Sequence, residues 1–356
     1  MIQVVVAAVL SLIFTFIGTP LLIRLLIAKQ LGQFVREDGP REHFTKRGTP
    51  TMGGAVILFS LVASYFLAHL ITWRPVTASG VLLIGLILAF GALGFMDDWA
   101  KISNQRSLGL SARGKLIGQA VIGIVFAWTA LQFPDKNGVT PASQYISFAR
   151  DIPWAWLPLV LAIAWMVFLV TAWSNAVNLT DGLDGLAPGS VTLVFAAYAL
   201  VNIWQSNQNC ATTITSGIRC YEVRDPVDLA TISVILAAAC FGFLWWNANP
   251  AKIFLGDTGS MALGGALAGL SIMTRTEVLL VIMGFLFVME TVSVTMQVGY
   301  FKATKGKRIF RMTPIHHHFE LKGWPEVTVV VRFWIICGLC VAAGLALFYA
   351  ESLVTP

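Results

Sequence analysis

Long apolar segments recur along this chain, each of about 17 to 25 residues, which is the length an α-helix needs to cross a bilayer. We locate ten of them, at residues 2–23, 53–73, 76–96, 115–132, 153–173, 186–204, 228–246, 259–274, 277–299 and 328–350. With 57% hydrophobic and only 12% charged residues, the chain has too few polar groups for a water-soluble fold of 356 residues. The sequence therefore predicts an all-α polytopic membrane protein with ten transmembrane helices, forming one integral membrane domain over residues 1–356. The first segment has no small-residue cleavage site, so we expect it to stay on the mature protein.

Basic residues are divided unevenly between the two sets of loops. Six of the 24 Lys and Arg residues fall in one set, namely Arg74, Lys136, Arg150, Arg219, Arg224 and Arg275. The other eighteen fall in the second set, and Lys and Arg are retained in cytoplasmic loops. We therefore predict that the second set is cytoplasmic and that both termini are extracytoplasmic. The net charge of +6 would then attract anionic headgroups or phosphorylated substrates to the cytoplasmic face, and we expect no nucleic-acid partner.

Two of the five cysteines, Cys210 and Cys220, share a predicted external loop. An oxidising exterior favours a disulfide between them, although the sequence alone leaves two free thiols open. The other three, Cys240, Cys337 and Cys340, lie in apolar segments, where a thiol behaves as a small hydrophobic group.

A polar stretch follows the apolar segment 153–173. In it Asn175, Asn178, Asp181 and Asp184 recur at three-residue intervals. On an α-helix this spacing spreads the side chains over half of the cylinder, and a 3₁₀ turn would stack them in one column. Either geometry gathers carboxylates and amides at one edge, although two Asp-Gly pairs are also typical of an ordinary polar turn.

Two adjacent carboxylates, Asp97 and Asp98, end the third apolar segment. At a helix C-terminus they face the negative end of the macrodipole, which costs about 0.3–1 kcal/mol each unless a cation compensates. Lys101, four residues after Asp97, is one candidate for that cation. The alternative is a functional role for the pair, either with a bound metal or as a catalytic base.

Basic residues in two predicted cytoplasmic loops suit an anionic ligand. Lys46 precedes a stretch rich in Gly and Pro, and Lys115 opens the fourth apolar segment, where a helix N-terminus also favours anions. The general enrichment of Lys and Arg in cytoplasmic loops explains both positions equally well. The run 109–116 resembles an ATP-binding P-loop but has Leu116 where Ser or Thr would coordinate magnesium, so we reject that function.

Asp257 precedes the eighth apolar segment. Its ordinary role would be that of a helix N-cap, worth about 0.5–2 kcal/mol. It is also the fifth Asp predicted on the cytoplasmic face, at a helix start that suits an anion. In the same loop Asn247 and Phe254 offer an amide and a ring for stacking on a base.

The last third of the chain adds further polar groups. Glu290 lies deep in the ninth apolar segment, where a carboxylate is a functional candidate, although a structural role or a proton-linked pore also fits. Gln297 lies near the cytoplasmic end of that segment. The consecutive His316, His317 and His318 point in different directions on any regular element, so we interpret them as phosphate or sugar contacts and favour metal binding less.

Together these groups predict a type of chemistry. Carboxylate and amide oxygens suit Mg²⁺, and basic side chains suit a diphosphate. The combination indicates phosphoryl transfer to a membrane-embedded acceptor, in which positioning and charge neutralisation provide most of the catalysis. A cation-coupled transporter is the alternative from another class, but it would place its polar groups near the bilayer midplane.

Five motifs in chain order carry a resemblance to a known family: 49–54, Asp97-Asp98, 175–185, 254–260 and 314–320. They resemble the phospho-N-acetylmuramoyl-pentapeptide transferases, within the superfamily of polyprenyl-phosphate N-acetylhexosamine-1-phosphate transferases. The resemblance extends over essentially the whole chain, and the last motif distinguishes this family from sister transferases that use UDP-GlcNAc.

The resemblance implies a bacterial inner-membrane enzyme, usually a homodimer, with its active-site cleft facing the cytoplasm. Such an enzyme transfers phospho-MurNAc-pentapeptide from UDP-MurNAc-pentapeptide to undecaprenyl phosphate with Mg²⁺, giving lipid I and UMP in peptidoglycan synthesis, on which cell shape and division depend. One-step attack by the lipid phosphate is our interpretation, and a two-step route through a phosphorylated Asp257 stays open.

Matching motif positions imply roles for individual residues. Magnesium ligands would be Asn178 and Asp257. The base that deprotonates the lipid phosphate would be Asp97, with Asp98 beside it. The diphosphate and sugar side would contain Lys115, His316, His317 and His318. The remaining substrate-binding residues, mostly on the nucleoside side, would be Lys46, Asn175, Asp181, Asp184, Asn247, Phe254 and Gln297.

Overall fold

A computed structural model describes residues 1–29, 48–104, 109–210 and 220–353 of the chain. Within these ranges the helices are α1 (Ile2–Ala28), α2 (Gly54–Thr72), α3 (Ala78–Ser103), α4 (Ala112–Ala130), α5 (Leu159–Thr180), α6 (Leu186–Asn207), α7 (Pro226–Asn247), α8 (Gly256–Met273), α9 (Glu277–Met283), α10 (Phe285–Ala303), α11 (Ile315–Glu320) and α12 (Glu326–Leu353). Between α4 and α5, strands β1 (Tyr145–Ser147) and β2 (Asp151–Trp156) form a small antiparallel sheet.

Every predicted apolar segment contains a helix. Among the described residues, seven helices are long and apolar enough to cross a membrane, namely α1, α2, α3, α5, α6, α7 and α12. The α9–α10 pair becomes an eighth if it is counted as one span broken by a bend of 84°. The prediction of a helical, polytopic membrane protein is confirmed, whereas the count of ten spans and the orientation of the termini stay predictions.

Helix α8 lies in the middle of the bundle and packs against α2, α3 and α5. All of its residues from Thr258 to Met273 are buried. Small residues let the neighbouring helices approach closely, since a Cβ at Gly94 would overlap the carbonyl oxygen of Asp257, and one at Gly54 would overlap Gly259. Because α8 contacts protein instead of lipid, it does not need the high hydropathy of the outer helices.

The start of the fifth apolar segment was predicted wrongly. Residues 153–156 belong to β2, and α5 begins only at Leu159 and continues to Thr180. Trp154 and Trp156 are 86% and 54% exposed while Ala155 between them is 9% exposed, which is the two-residue alternation of a strand. Because the helix is shifted toward the C-terminus, Asn175 and Asn178 lie inside its last turns instead of in a turn after it.

Contacts between distant segments define one end of the bundle. Gln3 near the N-terminus donates to Asp228 Oδ1 at 3.2 Å. Arg150 pairs with Glu351 near the C-terminus at 3.0 Å and also donates to the carbonyl oxygen of Cys220. Both chain ends therefore lie with the loop between α6 and α7, and the Cys210–Cys220 disulfide expected there is present.

The opposite end of the bundle contains the paired carboxylates. Thr77, the N-cap of α3, donates to Asp228 Oδ2 at 2.7 Å, so α3 begins at the end where the termini lie. At a rise of 1.5 Å per residue, the helix carries Asp97 roughly 30 Å away from that end.

Candidate active site

Three carboxylates from two helices converge at the end of the bundle away from the termini. Asp97 and Asp98 lie near the end of α3, and Asp257 lies in the first turn of α8. Each offers an oxygen, and these oxygens all lie within 4.8 Å of one another. No other group of three or more His, Cys, Asp or Glu side chains in the described part of the chain meets this geometry.

Two lysines offset most of the negative charge of the cluster. Lys101 Nζ lies 2.7 Å from Asp97 Oδ2, 3.1 Å from Asp257 Oδ1 and 3.8 Å from Asp98 Oδ1. Lys115, from the first turn of α4, lies 2.6 Å from Asp257 Oδ2 and 3.3 Å from Asp97 Oδ1. Since buried carboxylates need compensating charge, the two lysines allow three of them to share one site. The compensating role considered for Lys101 is therefore confirmed.

The three carboxylates have different surroundings. Asp98 accepts hydrogen bonds from the backbone N–H groups of Asp257 and Thr258, at 3.1 and 2.9 Å. Asp97 accepts one from the N–H of Leu110 at 2.9 Å, and its side chain is only 2% exposed. Asp257 has the most exposed side chain of the three, at 14%, and both of its oxygens face lysine ammonium groups. It is therefore the carboxylate most open to a ligand.

The surroundings of Asp257 and Asp181 shift the pKa values of these two groups in opposite directions. Burial raises the pKa of Asp257, but the charges of Lys101 and Lys115 outweigh it and bring that pKa below its ordinary value. Burial and the charges of Asp257 and Asp98 raise the pKa of Asp181 well above its ordinary value. Asp181 is thus within electrostatic reach of the cluster, and its predicted contact with the nucleoside stays a prediction.

The donor set fits a hard divalent cation. Mg²⁺ prefers carboxylate and amide oxygens, and three carboxylates within 4.8 Å of one another supply them. Asp97 Oδ2 is buried, and its partner among the described residues is the ammonium of Lys101 at 2.7 Å. Asn178 donates its Nδ2 to Ser260 Oγ at 2.8 Å, which holds this amide at a residue of α8 three positions after Asp257. Its role as a metal ligand stays a prediction.

Two further residues of the Asn and Asp stretch make structural contacts. Asn175 Nδ2 donates to Gln119 Oε1 at 3.0 Å, which links α5 to α4. Asp184 is 4% exposed and accepts from the N–H of Ala251 at 3.0 Å and from Asn249 at 3.3 Å, so it holds the turn after α7. Their predicted contacts with substrate are not tested by these bonds.

Residues predicted on the nucleoside side also have internal partners. Asn247 is 3% exposed, accepts from the N–H of Gly185 at 3.1 Å and donates to the carbonyl oxygen of Ile253 at 2.8 Å. Phe254 is half-buried, and its N–H donates to the Pro50 carbonyl at 2.8 Å. These bonds bring the loop before α8 against both the Asn and Asp stretch and the segment before α2. Their roles in binding stay predictions.

The remaining polar groups lie around α10 and α11. Gln297 Oε1 accepts from the N–H groups of Ile309 and Phe310, each at 3.0 Å, and so fixes the loop that leads to α11. Lys46 lies outside the described residues.

The three histidines of α11 point to different partners, as predicted. His316 is fully buried, with Nδ1 3.1 Å from Glu290 Oε1. His317 Nδ1 lies 2.6 Å from Glu320 Oε2. His318 Nδ1 accepts from the N–H of Arg311 at 3.1 Å, and burial together with the charges of Lys322 and Arg311 lowers its pKa. No shared metal position follows from this arrangement.

Sequence reasoning missed two contributors. Gln119, which holds Asn175, lies on an apolar helix with no pattern around it. Glu326 accepts from the N–H of Asp184 at 2.9 Å although 142 residues separate them, and no local signal reveals such a contact. Lys101 was detectable from its spacing, but its contact with Asp257 depends on how α3 and α8 pack.

The chain is similar to known proteins over its whole length. Glycosyl transferase family 4 matches residues 80–275, and signature 1 of phospho-N-acetylmuramoyl-pentapeptide-transferase matches residues 46–58. The phospho-N-acetylmuramoyl-pentapeptide-transferase of Cutibacterium acnes is 59% identical over 349 residues, which cover 98% of each chain. The chain belongs to the phospho-N-acetylmuramoyl-pentapeptide-transferase family.

Other phospho-N-acetylmuramoyl-pentapeptide-transferases agree with this assignment. The protein of an Arthrobacter species is 57% identical over 367 residues, covering 99% of this chain and 100% of its own. That of Streptomyces avermitilis is 56% identical over 350 residues, covering 98% of each chain. The chain is therefore an enzyme of this transferase family, which decides against the transporter alternative. Asp97, Asp98 and Asp257 all lie inside the region matched by glycosyl transferase family 4.

Proposed function

We propose that this enzyme transfers phospho-MurNAc-pentapeptide from UDP-MurNAc-pentapeptide to undecaprenyl phosphate, with Mg²⁺, at the cytoplasmic face of a bacterial inner membrane. An oxygen of the lipid phosphate attacks the phosphorus next to the sugar, the bond between that phosphorus and the bridging oxygen of the diphosphate breaks, and UMP leaves with the bridging oxygen. The products are lipid I and UMP. A homodimer, as the sequence resemblance implies, is part of this proposal.

The observation that supports it is the convergence of Asp97, Asp98 and Asp257 within 4.8 Å beside two lysines. A divalent cation held there would neutralise the charge that develops on the phosphate oxygens during phosphoryl transfer. The residues that would hold Mg²⁺ are Asp257, with the neighbouring carboxylates and Asn178. Such an arrangement supports transfer between two phosphorylated substrates.

The chain's own groups have distinct tasks in this proposal. Asp97 takes the proton of the lipid phosphate, which makes its oxygen a better nucleophile. Lys115 neutralises the diphosphate, since its ammonium lies 2.6 Å from Asp257, the most exposed of the three carboxylates. Asp181, whose pKa is raised by burial and by the charges of Asp257 and Asp98, contacts the nucleoside in this proposal. The location of undecaprenyl phosphate in the bilayer explains why the site is built at the end of a membrane bundle.

The test is a transfer assay with the purified full-length protein in detergent. UDP-MurNAc-pentapeptide, undecaprenyl phosphate and MgCl₂ are supplied, and UMP and lipid-linked sugar are measured together. We expect equal amounts of both products, and loss of both when EDTA removes the metal. UMP formed at an equal rate from UDP-GlcNAc would assign the chain to the sister transferases instead.

Sidedness needs a second measurement. UDP-MurNAc-pentapeptide is too polar to cross a bilayer, so it reaches only the exposed face of a sealed vesicle. We expect transfer in inside-out vesicles and none in right-side-out vesicles until they are permeabilised. The reverse pattern would contradict the cytoplasmic location.

A further inference from the structure

Lys101 occupies the point at which the three carboxylates meet. Its Nζ lies within 4 Å of all three, at 2.7, 3.1 and 3.8 Å, whereas Lys115 reaches only Asp97 and Asp257. A divalent cation bound by oxygens of the same carboxylates would have to occupy nearly the same space. The ammonium and the ion therefore compete for one position.

The contacts of Lys101 are those of a displaceable cation. Lys101 Nζ is shared among three carboxylates, at 2.7, 3.1 and 3.8 Å, so its charge is not directed at any one of them. Lys115, in contrast, donates an aligned hydrogen bond to Asp257 Oδ2 at 2.6 Å. Attraction between charges depends little on angle, so Lys101 is held mainly by Coulombic force, which an ion of higher charge exerts more strongly.

Lys101 can also turn outward when an ion replaces its charge. Its side chain is 26% exposed, the most of the five charged groups in the cluster. Because it lies on α3, four residues after Asp97, it stays within reach of the site in either position. Asp98, which holds the start of α8, keeps its three hydrogen bonds when Lys101 turns outward.

We propose that Lys101 is a built-in competitor of the divalent cation, so that metal binding expels its ammonium toward the exposed side of the site. This inference rests on the proposed function, because it requires the carboxylates to bind a divalent cation. It has a functional consequence: the expelled ammonium becomes available to a substrate diphosphate. Metal and nucleotide then bind cooperatively, since each favours the same position of Lys101.

The test measures metal affinity without substrate. Mn²⁺ serves as the probe, and its binding to the purified full-length protein is followed by electron paramagnetic resonance of the free ion. Lys101→Gln and Lys101→Met remove the competing charge, and Lys101→Arg keeps it. Lys302→Gln, at an exposed position near the end of α10, removes an equal charge elsewhere on the chain.

We expect both neutral variants to bind Mn²⁺ about tenfold more tightly than the wild type, because three carboxylates then face one ammonium instead of two. Lys101→Arg and Lys302→Gln should stay within about twofold of the wild type, since the charge at the cluster is unchanged. Melting curves identify which neutral variant is folded, and either one suffices for the comparison.

Unchanged or weaker Mn²⁺ affinity in the folded neutral variant would overturn the competition. Asp257→Asn separates this failure from that of the proposed function. If Asp257→Asn abolishes Mn²⁺ binding while Lys101→Gln leaves it unchanged, only the role of Lys101 is wrong. If Mn²⁺ binding does not depend on Asp257, the proposed metal site and the competition fail together.

Discussion

Asp98, near the end of α3, accepts a hydrogen bond from the backbone N–H of Asp257, at the start of α8, at 3.1 Å. The N–H and the hydroxyl of Thr258 donate to the same carboxylate at 2.9 and 2.7 Å. A carboxylate at the C-terminal end of one helix thus caps the N-terminus of another, where the helix dipole favours negative charge. These hydrogen bonds hold the backbone of Asp257 in place and thereby position its side chain. Asp98 therefore acts as a positioning residue.

A pair of substitutions tests this role. We expect Asp98→Ala to lower the free energy of unfolding by about 1–2 kcal/mol, because the first N–H groups of α8 lose their acceptor. Asp98→Asn should cost less, since an amide oxygen also caps a helix. Melting temperature and UMP release are measured for both variants. If Asp98→Ala keeps the wild-type melting temperature but loses all transfer, Asp98 has a direct chemical role instead.

Removing the charge of Asp97 or of Asp257 is expected to stop catalysis without unfolding the protein. Asp97→Asn and Asp257→Asn should each lower turnover by about a hundredfold or more, the range typical of losing a general base or a metal ligand. The side chains are isosteric, so melting temperatures should change little. Asp135→Asn, in the loop before β1, is the matched control with normal turnover expected. Normal turnover by a site variant would remove that residue from the mechanism.

Gly182 makes a close approach that only glycine allows. A Cβ there would overlap His316 Nε2, and this ring is buried against Glu290. We expect Gly182→Ala to displace α11 or the Asn and Asp stretch and to cost about 1–3 kcal/mol of stability, as overpacking does. Gly299→Ala, where no atom lies within 4 Å of the added Cβ, is the control. Equal melting temperatures for the two variants would show that the contact tolerates a methyl group.

The Cys210–Cys220 disulfide is expected to support stability and not transfer. It closes a loop with a sequence separation of 10, for which chain-entropy arguments give roughly 3 kcal/mol. Cys210→Ser should therefore lower the melting temperature, whereas turnover per folded molecule should be normal because the loop lies at the far end of the bundle. Cys340→Ser, which removes a free thiol, is the control. A matching loss of turnover would mean that the two ends of the bundle are coupled.

The helical membrane fold could be predicted because hydrophobicity acts locally along each segment. A run of apolar residues long enough to cross a bilayer must satisfy its own backbone hydrogen bonds, and the helix is the solution available to it. This argument located a helix in every predicted segment. The argument failed at Trp154, which lies on a strand where side-chain exposure alternates. Hydropathy summed over a segment does not show whether apolar residues repeat with the period of a strand or of a helix.

The candidate site could be predicted as residue types but not as contacts. Motif spacing identified Asp97, Asp98 and Asp257 as candidates from the sequence alone. Lys101 was recognised as a partner of its own helix, since spacing of three and four residues brings side chains together. Its contact with Asp257 at 3.1 Å joins residues 156 positions apart, and no helical period encodes such a distance.

The sequence by itself determined that this chain is a bundle of membrane helices with carboxylates, amides and lysines at their ends, because hydropathy and helical spacing are local properties. Tertiary structure decided what those groups do to one another. Helix α3 packs closely on α8 because Gly94 and the small residues of α8 permit it. This packing places the Asp98 carboxylate at the first N–H groups of α8 and brings two lysines between three acidic side chains. Coulombic and hydrogen-bonding energies depend on distances in space, and only the folded chain sets those distances.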